Sequence, residues 1–300
     1  MKTLVVGGTG MIGSHTALHL TEAGHDVTVA ARRTPDADSW VSGCPLLLGD
    51  YAEGGLVEAE LAAFEAVVFA AGNDIRHVAR DAADDEFWDK YQSLGVPQFV
   101  ERAKRAGVQR VVQIGSYYHQ VRPDLAEENP YVRARQLADE RSRALANDGF
   151  SVCTLNPPSI VGMAPGGSHK GFAKQVAWAR GDLVGKVPDF APAGGTNYMS
   201  VRSLAEAVAG ALERGRSGAA YLIGDQNLRF VDYFQMVFDA TGAGRQLEER
   251  DESHPFLPDW AIVPGRGNVL SYEPEPAVVE TLGYRRGDVR SMIAEMVAAL

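Results

Sequence analysis

The chain is short of the features that mark several protein classes. Of its 300 residues only two are cysteine, Cys44 and Cys153. Two thiols build neither a disulfide framework nor a cysteine metal site, and this usage fits a reducing cytoplasm. No apolar run approaches the roughly 20 residues that cross a bilayer, so no membrane partner is expected. The few apolar residues after Lys2 are too short for a secretory leader and run into a glycine turn that the fold needs. Positive charge is in deficit, with 29 Lys and Arg against 39 Asp and Glu and a net charge of −10. Nucleic acid is therefore not an expected partner, since its phosphates want a basic face. There is no internal repeat and no low-complexity segment. His15 and His19 stand four apart, but no third ligand or adjacent glutamate follows, so packing or solvent is expected there and no metal. What remains is an ordinary globular composition, 45% hydrophobic and 23% charged, long enough for one large α/β domain or two unequal lobes.

Against that background one stretch stands out. Leu4-Val5-Val6 leads into Gly7-Gly8-Thr9-Gly10-Met11-Ile12-Gly13, and a helical pattern follows at once. This is a strand, a tight turn and a helix N-terminus that offers backbone N–H groups to a pyrophosphate. Gly7 makes the turn, Gly10 lets a cofactor approach, and Gly13 lets helix and strand pack closely.

Strand and helix patterns then alternate. Strands are expected at 4–6, Asp26–Ala31, Leu46–Leu48, 66–71, Arg110–Ile114 and 151–155; helices at 14–23, 87–106 and 131–147. Such alternation predicts a parallel sheet with helices on both faces and ligands at the carboxyl ends of the strands. From about residue 160 the texture changes. A Gly- and Pro-rich loop at 162–171 reads as mobile. Helices are expected at 172–179, 203–214, Phe230–Thr241 and 289–300, and a short strand at 221–223. The expected organisation is a dinucleotide-binding Rossmann domain over 1–160 and a smaller, irregular substrate lobe over 161–300.

The residue that follows the second strand selects the cofactor. An acid there takes a ribose 2′-hydroxyl and an arginine takes a 2′-phosphate. Here the strand gives Arg32-Arg33 and no acid, so NADP is favoured over NAD; the alternative is two solvated surface arginines. Asp50, closing the third strand, is either a partner for the adenine edge or a turn residue. For proton transfer, Tyr131 and Arg135 share a helix face; the alternative for Tyr131 is an aromatic at a helix start, packed on the core. A phenol near pKa 10 needs a cation beside it to work at neutral pH, and Arg135 supplies one. Ser116, at the end of the fifth strand, adds a hydroxyl to hold a substrate oxygen.

In these motifs the chain resembles the extended short-chain dehydrogenase/reductases, the group of NAD(P)-dependent epimerases, dehydratases and dihydroflavonol-type reductases. The carriers are the glycine turn, Gly49-Asp50, Ala70-Ala71-Gly72, Ile114-Gly115-Ser116, Tyr131 with its helix, 156–162, 198–205 and Leu282-Gly283-Tyr284. The resemblance implies that Tyr131 is the general acid/base and that Ser116 orients the substrate. It also implies that Thr9, Gly10, Met11 and Ile12 hold the pyrophosphate, that Ala70, Ala71 and Gly72 pass under the ribose, and that Pro158 to Ile160 flank the nicotinamide. It further implies a homodimer in which the two long helices pair, with Phe87, Tyr91, Leu94, Phe99, Leu137 and Leu145 as seam candidates; the alternative is an intramolecular core, which some of them must serve. Three positions depart from the family. Arg135 replaces the lysine of Tyr-x-x-x-Lys, Gln92 aligns with an asparagine, and Arg202 stands where an acid is frequent. Tyr117, Tyr118 and His119 either line the substrate crevice or pack a loop. Phe172, Trp178 and Phe190 are either a substrate wall or lobe core.

The leading expectation is an NADP-dependent oxidoreductase that moves a hydride to or from a carbonyl or alcohol of a small organic substrate. Two other readings stand beside it: an NAD-dependent nucleotide-sugar epimerase or dehydratase, and a non-catalytic NADP-binding sensor, supported by Arg135.

Overall fold

Strands with apolar side chains on both faces need cover on both sides, which only helices flanking a parallel sheet supply. The computed structural model describes residues 1–37, 39–73, 84–164 and 170–300, and it places such strands together. In chain order they are β1 Lys2–Val6, β2 Asp26–Ala31, β3 Leu46–Leu48, β4 Ala66–Phe69, β5 Arg110–Ile114, β6 Ser151–Asn156, β7 Ser159–Val161, β8 Phe190–Pro192, β9 Gly195–Ser200, β10 Ala220–Leu222, β11 Gln226–Arg229 and β12 Glu248–Arg250. The helices are α1 Met11–Glu22, α2 Glu58–Leu61, α3 Asp84–Trp88, α4 Gly95–Arg105, α5 Tyr118–Val121, α6 Leu125–Glu128, α7 Pro130–Arg143, α8 Lys170–Arg180, α9 Val201–Arg214, α10 Phe230–Thr241, α11 Pro276–Leu282 and α12 Val289–Ala298.

Seven strands form one parallel sheet in the order β10-β6-β5-β4-β1-β2-β3. The order reverses at β1, which pairs with β2 on one side and β4 on the other; Val6 stands level with both Ala30 and Phe69. A crevice opens where such a reversal occurs, beyond the carboxyl ends of the strands. The period of two sorts the core into two layers. Val5, Val29, Val68 and Val112 face a layer with Leu20, Leu204 and Val208. Leu4, Val67, Phe69 and Val111 face one with Phe99 and Val100.

The second half both extends the sheet and builds a lobe. β10 pairs with β6 and α9 packs on α1, so this stretch completes the nucleotide-binding layers. β7, β9 and β11 form a separate three-stranded sheet. The aromatic side chains of α8 and α10 make a further core, in which the Trp178 ring meets Phe234, Phe238, His254 and Phe256 at 4.7–5.5 Å. Trp178 is buried in that core, Phe172 packs against it, and Phe190 is buried with its ring 5.2 Å from His254. Part of the loop expected to be mobile, 165–169, lies outside the described residues. Among the described residues no helix is long and apolar enough to cross a membrane.

The long helix expected over 87–106 is broken. α3 gives way to a π-helical turn, Asp89–Ser93, before α4 begins. Pro97 has no N–H to return to the preceding turn and would obstruct a continuous α-helix. The wider turn brings the Lys90 carbonyl so close to Gly95 that a Cβ there would lie 1.9 Å from the oxygen. The break alters the expected dimer seam. Phe99 is fully buried inside the chain, with Tyr51 and Phe69 around it at ring-centroid distances of 6.2 and 5.4 Å, while Leu94 is exposed.

Replacing Phe99 by Ala is expected to destabilise the fold by about 3–5 kcal/mol, the cost of a large aromatic deletion in a packed layer. Leu94→Ala is expected to change it by less than about 0.5 kcal/mol. Denaturant midpoints of the two variants check this; equal losses would contradict the assignment of Phe99 to the core.

Candidate active site

The glycine turn has the geometry that its residue types require. Gly7 adopts φ +81°, in the left-handed region. Gly7 and Gly8 both donate from their N–H groups to the Ala30 carbonyl, at 2.9 and 3.1 Å. A Cβ at Gly13 would lie 2.2 Å from the Gly7 carbonyl oxygen, and one at Gly8 would lie 2.6 Å from Val29 Cβ. Close packing therefore also requires Gly8, to which spacing alone assigned no role. Gly10 is the N-cap of α1 and no side chain caps it, so the N–H groups of the first turn are left for a ligand.

These elements border a cleft of about 210 Å³, lined by Gly7, Thr9, Gly10, Ala30, Ala31, Arg32, Gly49, Asp50, Ala70, Ala71 and Gly72. The glycine-lined wall, the free helix terminus and the open strand ends fit a dinucleotide. Arg32 is exposed at the end of β2 and borders the cleft; Arg33 is exposed beyond it. Asp50 takes the turn role. Its Oδ1 accepts from the Ala52 N–H at 2.9 Å, and it borders the cleft. Tyr51, Asn73 and Tyr91 complete the lining and were not anticipated. The Tyr51 hydroxyl donates to the Tyr91 carbonyl at 2.7 Å, and burial pushes its phenol well up. Met11 and Ile12 turn their side chains to the lobe core, so only their backbone faces the turn. Pro158 is buried, and Ile160 packs between two core layers, outside the cleft lining.

α7 carries the proton-transfer candidates. Asn129 caps it, its Oδ1 accepting from the Tyr131 and Val132 N–H groups at 3.0 and 3.3 Å, and Pro130 occupies the first turn. Tyr131 is buried against Trp88 at 5.1 Å and meets the Tyr118 ring edge-on at 6.3 Å. One turn on, the Arg135 guanidinium is buried. Its Nη2 donates to the Ile114 carbonyl at 3.0 Å and to the Gly115 carbonyl, and its Nη1 donates to Gln92 Oε1 at 3.3 Å. Gln92, from the π-helical turn, passes the contact to the cleft by donating to the Asn73 carbonyl at 3.0 Å. A Cβ at Gly72 would lie 2.7 Å from Arg135 Nη1. Ser116 is buried just beyond β5, and its N–H donates to Asn156 Oδ1 at 3.0 Å.

Asp139, another turn along α7, went unnoticed in the sequence, and Asn156 stood out only as the start of the 156–162 run, with no role. Asp139 is fully buried and accepts from Asn156 Nδ2 at 3.1 Å; His119 Nε2 lies 3.1 Å away, and Arg143 Nε bonds its other oxygen at 2.5 Å. Burial alone would raise its pKa, but the hydrogen bonds from His119, Arg143 and Asn156 and the Arg143 charge outweigh that and hold the carboxyl down at about 2. The available signal was polar residues every four positions, 131, 135 and 139, on one helix face. Of the loop after Ser116, Tyr117 is buried with its hydroxyl 2.6 Å from Thr196 Oγ1, and His119 belongs to Asp139. Arg202 pairs with Asp288 and Glu295, remote in chain from these residues. His15 Nε2 meets the Met163 carbonyl at 2.8 Å, and among the described residues no group of three His, Cys, Asp or Glu side chains is placed to hold a metal.

Comparison with known proteins places this arrangement. The model of the NAD dependent epimerase/dehydratase family matches residues 3–224. Among solved structures the chain is similar to gox2253, with 20% identity, 99% of this chain and 97% of that one covered, and a TM-score of 0.77. It is also similar to the Bordetella bronchiseptica enzyme WbmH in complex with NAD+, at 18% identity, 99% and 97% coverage and a TM-score of 0.71. A third is UDP-glucose 4-epimerase from Thermotoga maritima with UDP-glucose, at 16% identity, 99% and 98% coverage and a TM-score of 0.72. At these identities the likeness is one of fold. A comparison with curated protein sequences returns no match.

A carboxyl held low in the folded chain stabilises it fully above the ordinary 3.8 and loses that contribution as pH falls toward about 2. Asp139→Asn is therefore expected to be less stable than the wild type near neutral pH, with the gap closing below about pH 4. Denaturant midpoints over that range check it; a gap independent of pH would contradict the paired carboxylate.

Proposed function

The chain belongs to the NAD dependent epimerase/dehydratase family, and from that premise we propose that it is an NADP-dependent oxidoreductase acting on a carbonyl or alcohol of a small organic substrate. It is an enzyme of the short-chain dehydrogenase/reductase type, and its cofactor is a nicotinamide dinucleotide. The observation that carries the finer reading is Arg32, which borders the cleft where β2 ends and no acid stands. Among the described residues neither Arg32 nor Arg33 meets a carboxylate, which leaves both guanidinium groups for a 2′-phosphate. The glycine turn, with Thr9 to Ile12, holds the pyrophosphate, Asp50 the adenosine, Ala70 to Gly72 the ribose, and Pro158 and Ile160 flank the nicotinamide.

When bound, the nicotinamide supplies or takes the hydride. The protein does the rest. Ser116 donates a hydrogen bond to the substrate oxygen, and Tyr131 gives it a proton in reduction or takes one in oxidation. Arg135, one turn away on the same face, brings a positive charge to the same end of the helix. The part of 161–300 outside α9 and β10 selects the substrate. The chain pairs as a homodimer through the exposed parts of α4 and α7. The second reading, an NAD-dependent nucleotide-sugar epimerase, is favoured by the family's name.

Thermal melts with each cofactor separate the two. At a hundredfold excess over its dissociation constant a ligand adds about 2.7 kcal/mol. NADP is expected to raise the melting temperature more than NAD, and Arg32→Ala with Arg33→Ala is expected to abolish the difference. Stabilisation by NAD alone would move the assignment to the epimerase.

With a carbonyl compound found by following NADPH oxidation across a panel, Tyr131→Phe is expected to lower kcat/KM by about 10²–10⁴. Full turnover in that variant would remove Tyr131 from the chemistry.

A further inference from the structure

One peptide plane beside the reacting groups is held at both of its polar ends by side chains. The Gly115 carbonyl accepts from Arg135 Nη2, and the N–H of the same peptide, from Ser116, donates to Asn156 Oδ1 at 3.0 Å. Asn156 is itself held, its Nδ2 donating to Gln120 Oε1 at 2.9 Å and to Asp139 Oδ2 at 3.1 Å. Tyr131, Arg135 and Asp139 are buried residues of α7 spaced one turn apart. One helix therefore carries the tyrosine, reaches the peptide from which the Ser116 side chain springs through Arg135, and holds the Asn156 side chain that reaches it from the end of β6.

The surroundings are built to let these arms through. A Cβ on Gly115 would lie 1.8 Å from Asn156 Oδ1, and one on Gly72 would lie 2.7 Å from Arg135 Nη1. Ser116, Arg135, Asp139 and Asn156 are all buried, where hydrogen bonds are strong and an unmade one is costly. The fork matters as well as the charge. Arg135 reaches two carbonyls with one nitrogen and Gln92 with the other. An ammonium on a lysine stem is a single point and does not span those acceptors.

We propose that Arg135 and Asn156 are positioning residues that orient Ser116 by gripping the Gly115–Ser116 peptide from opposite ends, with Asp139 holding Asn156 in place. This rests on the reading of Ser116 and Tyr131 as the groups that meet the substrate. It gives Arg135 work that the family's lysine would not do in this chain.

The test uses the full chain with Arg135→Lys, Asn156→Ala, the double variant and Tyr131→Phe. Steady-state kinetics use the best carbonyl compound from the panel, NADP affinity is titrated separately, and the Ser116 amide is followed by NMR in ¹⁵N-labelled protein. Each single substitution is expected to shift the Ser116 amide signal and to lower kcat by about tenfold to a hundredfold, the cost of slight misplacement of a reacting group. KM and NADP affinity are expected to stay within about threefold of the wild type, a split that a merely structural role would not produce. The double variant is expected to fall little below the worse single, because both arms act on one peptide. If Asn156→Ala does not fold, Gly115→Ala displaces the same contact. Unchanged kcat in Arg135→Lys, a loss confined to NADP affinity, or losses that multiply in the double variant would each overturn the proposal. Loss of turnover in Tyr131→Phe with full kcat in the other variants would sink the clamp alone. Full turnover in Tyr131→Phe, or an empty panel, would sink the reading beneath it.

Discussion

A guanidinium buried beneath the carboxyl ends of β4 and β5 constrains everything around it. A charge taken out of water has to be met by polar groups, or the fold loses several kcal/mol. Arg135 meets this requirement at its two terminal nitrogens, with backbone carbonyls and an amide, while its Nε is buried without a hydrogen-bond partner; among the described residues it forms no ion pair with a carboxylate. Each acceptor then imposes a condition. The carbonyls of residues 114 and 115 have to stand just past the end of β5, Gln92 has to face inward from its turn, and residue 72 has to lack a Cβ. The π-helical turn meets the second condition, since a wider turn changes which side chain points inward, and such turns recur at functional sites.

The same economy governs the cofactor side. The sheet reverses its order at β1, so the ends of β1, β2 and β4 open on one crevice, and three glycines let backbone take the place of side chains there. α9 and β10 come from the far half of the chain, yet they complete the core behind this crevice. The lobe with its Trp178-centred core is thus tied to the nucleotide-binding layers by strands and helices that belong to both regions in sequence. Gly162, where a Cβ would lie 2.4 Å from Val201 Cγ1, marks the place where the chain after β7 closes against α9.

Much of the nucleotide-binding half was legible in the sequence because its signals are local. The first six strands and α1 follow from apolar runs and glycine stops, and their bounds differ from expectation by a few residues at most. The broken helix was legible in principle, since Pro97 lies inside the apolar pattern, but the periodicity around it was strong enough to mask it. β7, β8, β11 and β12 were missed because they are short and, in Gln226–Arg229 and Glu248–Arg250, polar; what makes them strands is a partner distant in sequence. Phe99, a seam candidate by the resemblance with core as the alternative, is core, because helix periodicity does not say which neighbour an apolar face meets.

The sequence by itself determined the class of fold, the glycine turn and the residue types at its rim, Arg32 among them, because each depends on the chain's own backbone limits and periodicity. It also named Tyr131, Arg135 and Ser116 as belonging together. Only the tertiary structure decided what Arg135 touches, that Asn156 and Asp139 stand behind Ser116, and that Gly72 and Gly115 are glycines for want of space. Those hydrogen bonds join residues 17 to 43 positions apart, and a contact over such a span leaves no periodic trace in the chain.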